Sequence, residues 1–191
     1  GQAMIPTTRL ADIGRVVQIA FVPGDFDAAL HYWTRVIGAG PFYHLDHILL
    51  DNTRYRGAPA AVDLSAALGY WGDIQIELVR QHDDSPSIYR DWLDAGREGV
   101  QHIGVVLDDY DAFDSAHARL CAQGGDPVME TEIVNATRAA YFQMPGEDPL
   151  VEILALKPHF LKLWDHMRRT AATWDGSDPL RAVPAEDVWA S

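Results

Sequence analysis

The sequence predicts an α+β fold in which one plan is used twice: a strand, a helix, then three strands. Three observations carry this reading. Two apolar strand patterns, residues 16–22 and 100–107, each run directly into a helix headed by an aspartate that can cap it. Each helix ends at paired or near-paired glycines, Gly38 and Gly40 in the first copy and Gly124 and Gly125 in the second. Each helix is then followed by three more stretches of strand-like pattern.

The first copy covers residues 14–81. Asp25 caps its helix, and Phe26, Ala29, Leu30, Trp33 and Ile37 fall on one face at helical spacing. Its later strands are expected at 42–50, 60–70 and 73–80. A linking segment, 82–99, carries a short helix with Ser85 as cap, Pro86 at its first position and an apolar face of Ile88, Tyr89, Trp92 and Leu93. The second copy covers 100–157. Asp108 or Asp109 caps a helix with Tyr110, Phe113, Ala116 (or His117) and Leu120 inward, and strands follow at 127–132, 137–144 and 150–156, with a turn at 145–149. Beyond it, in 158–191, Pro158 opens a helix to about residue 173 with Phe160, Leu161, Trp164 and Met167 apolar. The tail from Trp174 is rich in prolines and acids and is expected to be loosely structured.

Composition narrows the function classes. The chain has 191 residues, a 48% hydrophobic fraction and a net charge of -13. Such acidity disfavours nucleic acid and anionic membranes as partners. No run of about 18 apolar residues is present, so no membrane-spanning helix is expected, and no secretory signal pattern is seen; a cytoplasmic location follows as the default. The single cysteine, Cys121, permits no internal disulfide and no cysteine zinc cage, and its place in an amphipathic pattern reads as a small buried hydrophobe.

Four polar residues interrupt the apolar strand patterns: Gln18, Glu77, His102 and Glu152. A polar group on a buried strand is costly unless it is paired, hydrogen-bonded or bound to a metal. Side chains alternate between faces along a strand. Gln18 therefore shares a face with Ala20 and Val22, and His102 with Gly104 and Val106. Glu77 goes with Gln75 and Val79, and Glu152 with Leu150 and Leu154. Each half thus offers one group from its first strand and one from its last. With helices on one face of each sheet, all four point to the other. Singly, each residue also fits a strand face open to water or a hydrogen-bonded structural histidine. Gln75 is a candidate neighbour of the site, whereas Gln101 reads as pointing away from it. His44, His47 and His82 read as surface or sheet residues, and His31 and His117 belong to helices. Tyr70, Trp71 and Tyr141 read as core or pocket wall. Arg54, Arg56 and Arg138 are candidates to receive a carboxylate or phosphate.

In residues 16–22 with their Pro-Gly-Asp helix entry, 74–79, Gly99-Val100-Gln101-His102-Ile103-Gly104 and 150–154, the chain resembles the vicinal oxygen chelate superfamily. That family includes glyoxalase I, methylmalonyl-CoA epimerase, extradiol dioxygenases and bleomycin-resistance proteins. The resemblance spans roughly residues 14–157. It implies two paired βαβββ modules forming an eight-stranded open barrel, with a linking and a C-terminal helix added here. It also implies a divalent metal (zinc, nickel, cobalt, manganese or iron(II)) held by Gln18, Glu77, His102 and Glu152. A Gln, Glu, His, Glu set resembles that of zinc glyoxalase I. The activity implied is proton transfer through a metal-stabilised enediolate or enolate, with Glu152 and Glu77 as candidate catalytic bases, on a small carbonyl or thioester substrate. Epimerase-like racemisation, extradiol cleavage and a non-catalytic binding module are the alternatives, and a homodimer is expected.

Overall fold

The computed structural model describes residues 9–133, 137–146 and 148–190. After a short helix α1 (Leu10–Ile13), the first half comprises β1 (Val16–Phe21), α2 (Phe26–His31), β2 (Phe42–Leu45), β3 (Leu50–Tyr55), β4 (Ala58–Pro59), β5 (Leu64–Trp71) and β6 (Ile74–Gln81). Helix α3 (Ile88–Asp94) links it to β7 (Val100–Leu107), α4 (Tyr110–Ala122), β8 (Asp126–Ile133), β9 (Thr137–Gln143) and β10 (Leu150–Leu156). Then come α5 (Pro158–Ala172), β11 (Leu180–Ala182) and α6 (Glu186–Trp189).

Local chemistry sets these boundaries. Asp25 accepts from the Ala28 amide at 3.0 Å, and Asp109 from the Ala112 amide at 2.7 Å, each satisfying a donor at a helix start. Helix α2 continues as a π-helical turn, Tyr32–Ile37, and stops at Gly38 with φ 83°. The linking helix starts later than the sequence suggests. Ser85 donates to Asp83, so Ser87 is the cap and accepts from the Tyr89 and Arg90 amides.

All described strands form one sheet in the order β11-β2-β5-β6-β1-β7-β10-β9-β8-β3-β4. The two halves meet where β1 pairs antiparallel with β7, and each of these strands pairs parallel with the last long strand of its own half. The sheet is strongly curled, which chain length alone requires. Strands β2 and β3 lie eight strand spacings apart in the order, roughly 38 Å on a flat sheet. The chain from Leu45 to Leu50 reaches at most about 19 Å. The edges must therefore bend toward each other, giving an open barrel with residues 46–49 strung across its mouth.

The eight expected strands are present as β1, β2, β5, β6 and β7 to β10, and three further strands, β3, β4 and β11, are added to them. The stretch expected as one strand at 42–50 is broken at Asp46 and His47, the latter at φ 44°. The residues after it form the β3–β4 hairpin, which leaves its own half and pairs with β8 of the other. The tail is ordered as well: β11 pairs with β2, and Trp189 is buried. The acidic, proline-rich composition that suggests a loose tail is outweighed by these contacts. Of the turn at 145–149, Glu147 lies outside the described residues, as does Ser191 of the tail.

Side-chain alternation sorts the core into two layers. Outside the curl, Phe26 of α2 packs on Phe42, Ala67, Ile76 and Leu78, while Phe113, Ala116 and Leu120 of α4 pack on Val105, Phe142 and Ile153. Inside it, Leu163 and Met167 of α5 pack on Tyr43, Leu68 and Tyr70. Two expectations fail on the outer surface. Cys121 is exposed, because it lies one residue past Leu120 and so turns off the buried stripe of α4. Trp71 is 59% exposed at the end of β5, where it meets Trp33 edge-on instead of entering the core.

Candidate metal centre

Strand register places the four singled-out residues in two neighbouring rows. One row runs Gln75, Gln18, Gly104, Glu152, Tyr141 across β6, β1, β7, β10 and β9. The next runs Leu68, Glu77, Ala20, His102, Leu150. The two halves are offset by 84 residues (102 − 18, and likewise 104 − 20), so Gln18 faces Gly104 and His102 faces Ala20 across the β1–β7 pair. Each polar residue of the central strands thus stands opposite a small one. The space is used: a Cβ on Gly104 would lie 3.1 Å from Gln18 Oε1 and 3.3 Å from Glu152 Oε1. Two side-chain oxygens from different strands lean into the gap that a glycine leaves.

All four groups face the inside of the curl. Gln18, His102 and Glu152 are buried, and the side chain of Glu77 is 16% exposed. His102 Nε2 lies 3.3 Å from Glu77 Oε1 and 3.5 Å from Glu152 Oε1. Gln18 Oε1, His102 Nε2 and Glu152 Oε1 are nevertheless buried without a well-formed hydrogen bond. Such atoms are rare in folded proteins and costly to bury bare. One amide oxygen, one imidazole nitrogen and carboxylate oxygens, all turned inward, are a donor set that suits zinc, manganese, iron(II), cobalt or nickel.

The opposite ends of these side chains are held. His102 Nδ1 is 2.6 Å from Gln101 Oε1, and Gln101 Nε2 donates to the Ile88 carbonyl of α3. The ring proton therefore sits on Nδ1 when the imidazole is neutral, and Nε2 keeps its lone pair for the centre. Gln18 Nε2 donates to Gln75 Oε1 at 2.7 Å, and Gln75 Nε2 to the Tyr70 hydroxyl at 3.2 Å, which turns Gln18 Oε1 inward. Gln75 thus fills the place expected for it. Gln101 does not point into solvent: α3 covers it, and it orients His102.

Charge and burial compete at this point. Burial pushes the His102 imidazole down, but Glu152 and Glu77 more than offset that and hold it at about 9. Burial pushes the Glu152 carboxyl up, with His102 pulling the other way. Burial also raises the Tyr89 and Tyr141 hydroxyls, so both are neutral donors. Tyr89 donates to Tyr141 at 3.0 Å, and the Tyr141 ring meets His102 edge-on at 5.1 Å.

Of these groups, Gln18, Glu77, Glu152, Tyr89 and Tyr141, but not His102, border a cavity of about 100 Å³ inside the curl, among apolar side chains. A wider depression of about 390 Å³ lies elsewhere, lined by charged residues such as Arg54, Glu130 and Arg138, and reaches none of the four. None of the three candidate arginines borders the internal cavity. Among the described residues, ligand atoms of Asp46, His47 and His82 also come within 4.8 Å of one another, closer than those of His102, Glu77 and Glu152 as a set. That group is exposed, and one ring nitrogen of each histidine is engaged, His47 Nδ1 with Asp63 at 2.7 Å and His82 Nε2 with Ser65 at 2.7 Å. The buried set is the one whose bare donor atoms are shut away from water.

Sequence reading misses Gly104 and Ala20 as the residues that make room. Their signal was their shared face with His102 and Gln18. It also misses Tyr89, whose hydroxyl belongs to the site although its spacing marks only an apolar helix face.

Comparison with known proteins agrees with this architecture. Two similar solved structures are a hypothetical protein from Bacillus halodurans C-125 (13% identity, TM-score 0.54, covering 75% of this chain and 94% of that one) and methylmalonyl-CoA epimerase from Mycobacterium tuberculosis (19% identity, TM-score 0.52, covering 76% and 90%). At these identities they show a shared fold. No curated protein sequence matches. The family model described as glyoxalase/bleomycin resistance protein/dioxygenase superfamily matches residues 17–142. The chain therefore belongs to the glyoxalase/bleomycin resistance protein/dioxygenase superfamily.

Proposed function

We propose that this protein is a divalent-metal-dependent isomerase or lyase that moves a proton on a small carbonyl compound, with Gln18, Glu77, His102 and Glu152 as the metal ligands. The observation that carries the reading is that Gln18 Oε1, His102 Nε2 and Glu152 Oε1 are buried without a well-formed hydrogen bond, with the Gln18 and Glu152 oxygens meeting in the space beside Gly104 and His102 Nε2 3.5 Å from Glu152 Oε1. A bound divalent ion would supply Lewis acidity toward a substrate oxygen.

The chain's own residues do the rest. Gln101 and Gln75 fix the directions of His102 and Gln18. Glu152 is the base: burial raises its carboxyl, which favours its taking up a proton, and His102 opposes that. Glu77, which also approaches His102 Nε2, is the second carboxylate and the candidate to deliver a proton to the neighbouring carbon. Return to the neighbouring carbon gives isomerase or lyase chemistry, and return to the opposite face of the same carbon gives epimerisation. Tyr141 stands opposite Glu152 in the register, where its neutral hydroxyl can orient a substrate oxygen. One imidazole with two carboxylates supports proton transfer over extradiol cleavage, which uses two imidazoles and one carboxylate. The expected homodimer belongs to the same proposal, and sedimentation velocity tests it. The activity is tested by proton exchange: the metal-loaded protein in deuterium oxide should label an α-hydroxy ketone at the carbon next to the carbonyl. Absence of exchange across a panel of such ketones contradicts the reading.

A further inference from the structure

We infer that the substrate is a compact, uncharged, largely apolar hydroxy-carbonyl compound that enters free, without a nucleotide or peptide handle. This rests on the proton-transfer reading above and narrows it to a substrate class.

Three features of the cavity carry the inference. The first is charge. No lysine, arginine or histidine is among the described residues that line it. The arginines that might have received an anion are used elsewhere. Arg54 donates to the Gly57 carbonyl, Arg56 bonds Tyr55 and Asp91, and Arg138 sits over Tyr110 between Asp114 and Glu132. Two carboxylates, Glu77 and Glu152, line the cavity, and no cationic side chain does. No excess positive charge is left to draw an anion out of water, and an unpaired buried charge is heavily penalised.

The second is size. About 100 Å³ is less than the roughly 150 Å³ of an apolar cavity known to hold benzene, and well below the roughly 300–1,000 Å³ of sites for larger ligands. A body of about half a dozen non-hydrogen atoms fits.

The third is the wall that sets this size. Phe160 and Trp164 of α5 border the cavity, as do Ile48 and Leu50 from the crossing segment and the start of β3. Helix α5 is firmly seated. Leu163 and Met167 are buried on Tyr43, Leu68 and Tyr70. Trp189 of α6 packs on Phe160 at 6.3 Å, and His159 pairs with Glu186 at 2.5 Å. A handle that ran along the α5 side of the cavity would have to displace this anchored helix. Apart from the residues already named, the one lining hydroxyl without a partner among the described residues is Thr137 Oγ1. The cavity thus suits an apolar body carrying few oxygens.

The test is calorimetric titration of the full chain, metal-free and manganese-loaded, with acetoin, lactate and propionyl-CoA. Acetoin should bind at least about tenfold more tightly than lactate, which is of similar size but charged, and propionyl-CoA should show no binding. Trp164→Ala should admit 2-hydroxyacetophenone about tenfold better than the parent protein does, because the deleted ring enlarges the cavity. Lactate or propionyl-CoA binding as tightly as acetoin overturns the inference, and so does failure of acetoin to bind. Hydrogen exchange followed by NMR in the same samples separates the two levels. Acetoin binding without exchange sinks the proton-transfer reading and leaves the ligand class standing. Exchange on propionyl-CoA does the reverse.

Discussion

The two halves of the sheet deliver their polar groups in the same way and finish their edges differently. In each, the first strand and the last strand bring one group to the centre, and the first strands pair across the middle. The second half keeps its strands together as β7, β10, β9 and β8. The first half keeps β2, β5, β6 and β1 together but also sends the β3–β4 hairpin to the other half, takes β11 onto its edge and carries α5 on its inner face. The lesson is a division of labour. What repeats is the register that makes the site, and what differs is the covering that makes the cavity small.

The chemistry is divided too. The second half supplies the imidazole and the most deeply buried carboxylate, and the first supplies a neutral amide and a partly open carboxylate. The largest expected effect therefore lies in the second half. Glu152→Gln should lower hydrogen exchange on a ketone substrate by about 10³-fold while circular dichroism and Tm show an intact fold. An equal loss for Gln18→Ala would break the contrast between the halves. Next comes pH. A proton on His102 competes with a metal, and its pKa is raised to about 9 in the metal-free protein. Ligation requires the neutral ring, so apparent metal affinity should rise with pH below 9. The expected gain between pH 6 and 8 is about a hundredfold, which titration with a competing chelator would read. A flat profile would remove His102 from the ligand set.

Gly104→Ala tests the room at the centre. Its Cβ would crowd Gln18 and Glu152, so metal affinity should fall about 10- to 100-fold, whereas the backbone there needs no glycine. An unchanged affinity would mean that the gap beside Gly104 is not where the donors meet. The smallest effects should come from the two supporting glutamines, compared as equivalents. Gln101→Ala frees the His102 ring, and Gln75→Ala frees an amide already lacking charge. The first should cost about tenfold in affinity and the second a few-fold, and the reverse order would shift the weight of the site to the first half.

The sequence shows much of this because alternation is a local rule. Gln18, Glu77, His102 and Glu152 could be assigned to one face from strand parity alone, and the helices from their caps and glycines. The hairpin exchange was not legible, since β3 is specified by pairing with β8, far away in sequence. The ordered tail depends on β2 and α5 in the same way. Cys121 was misplaced by a single residue of periodicity, and Trp71 is exposed because it ends β5 beside Trp33. Tyr89 was hidden because its ring serves the core while its hydroxyl serves the site.

The account stands on the claim that four strand residues hold one ion. Manganese or zinc titration of the full chain, run beside His102→Ala, measures it most directly. One ion per chain, with binding lost in the variant while the fold is retained, is the result expected. No binding by the parent protein, or equal binding by the variant, would contradict it.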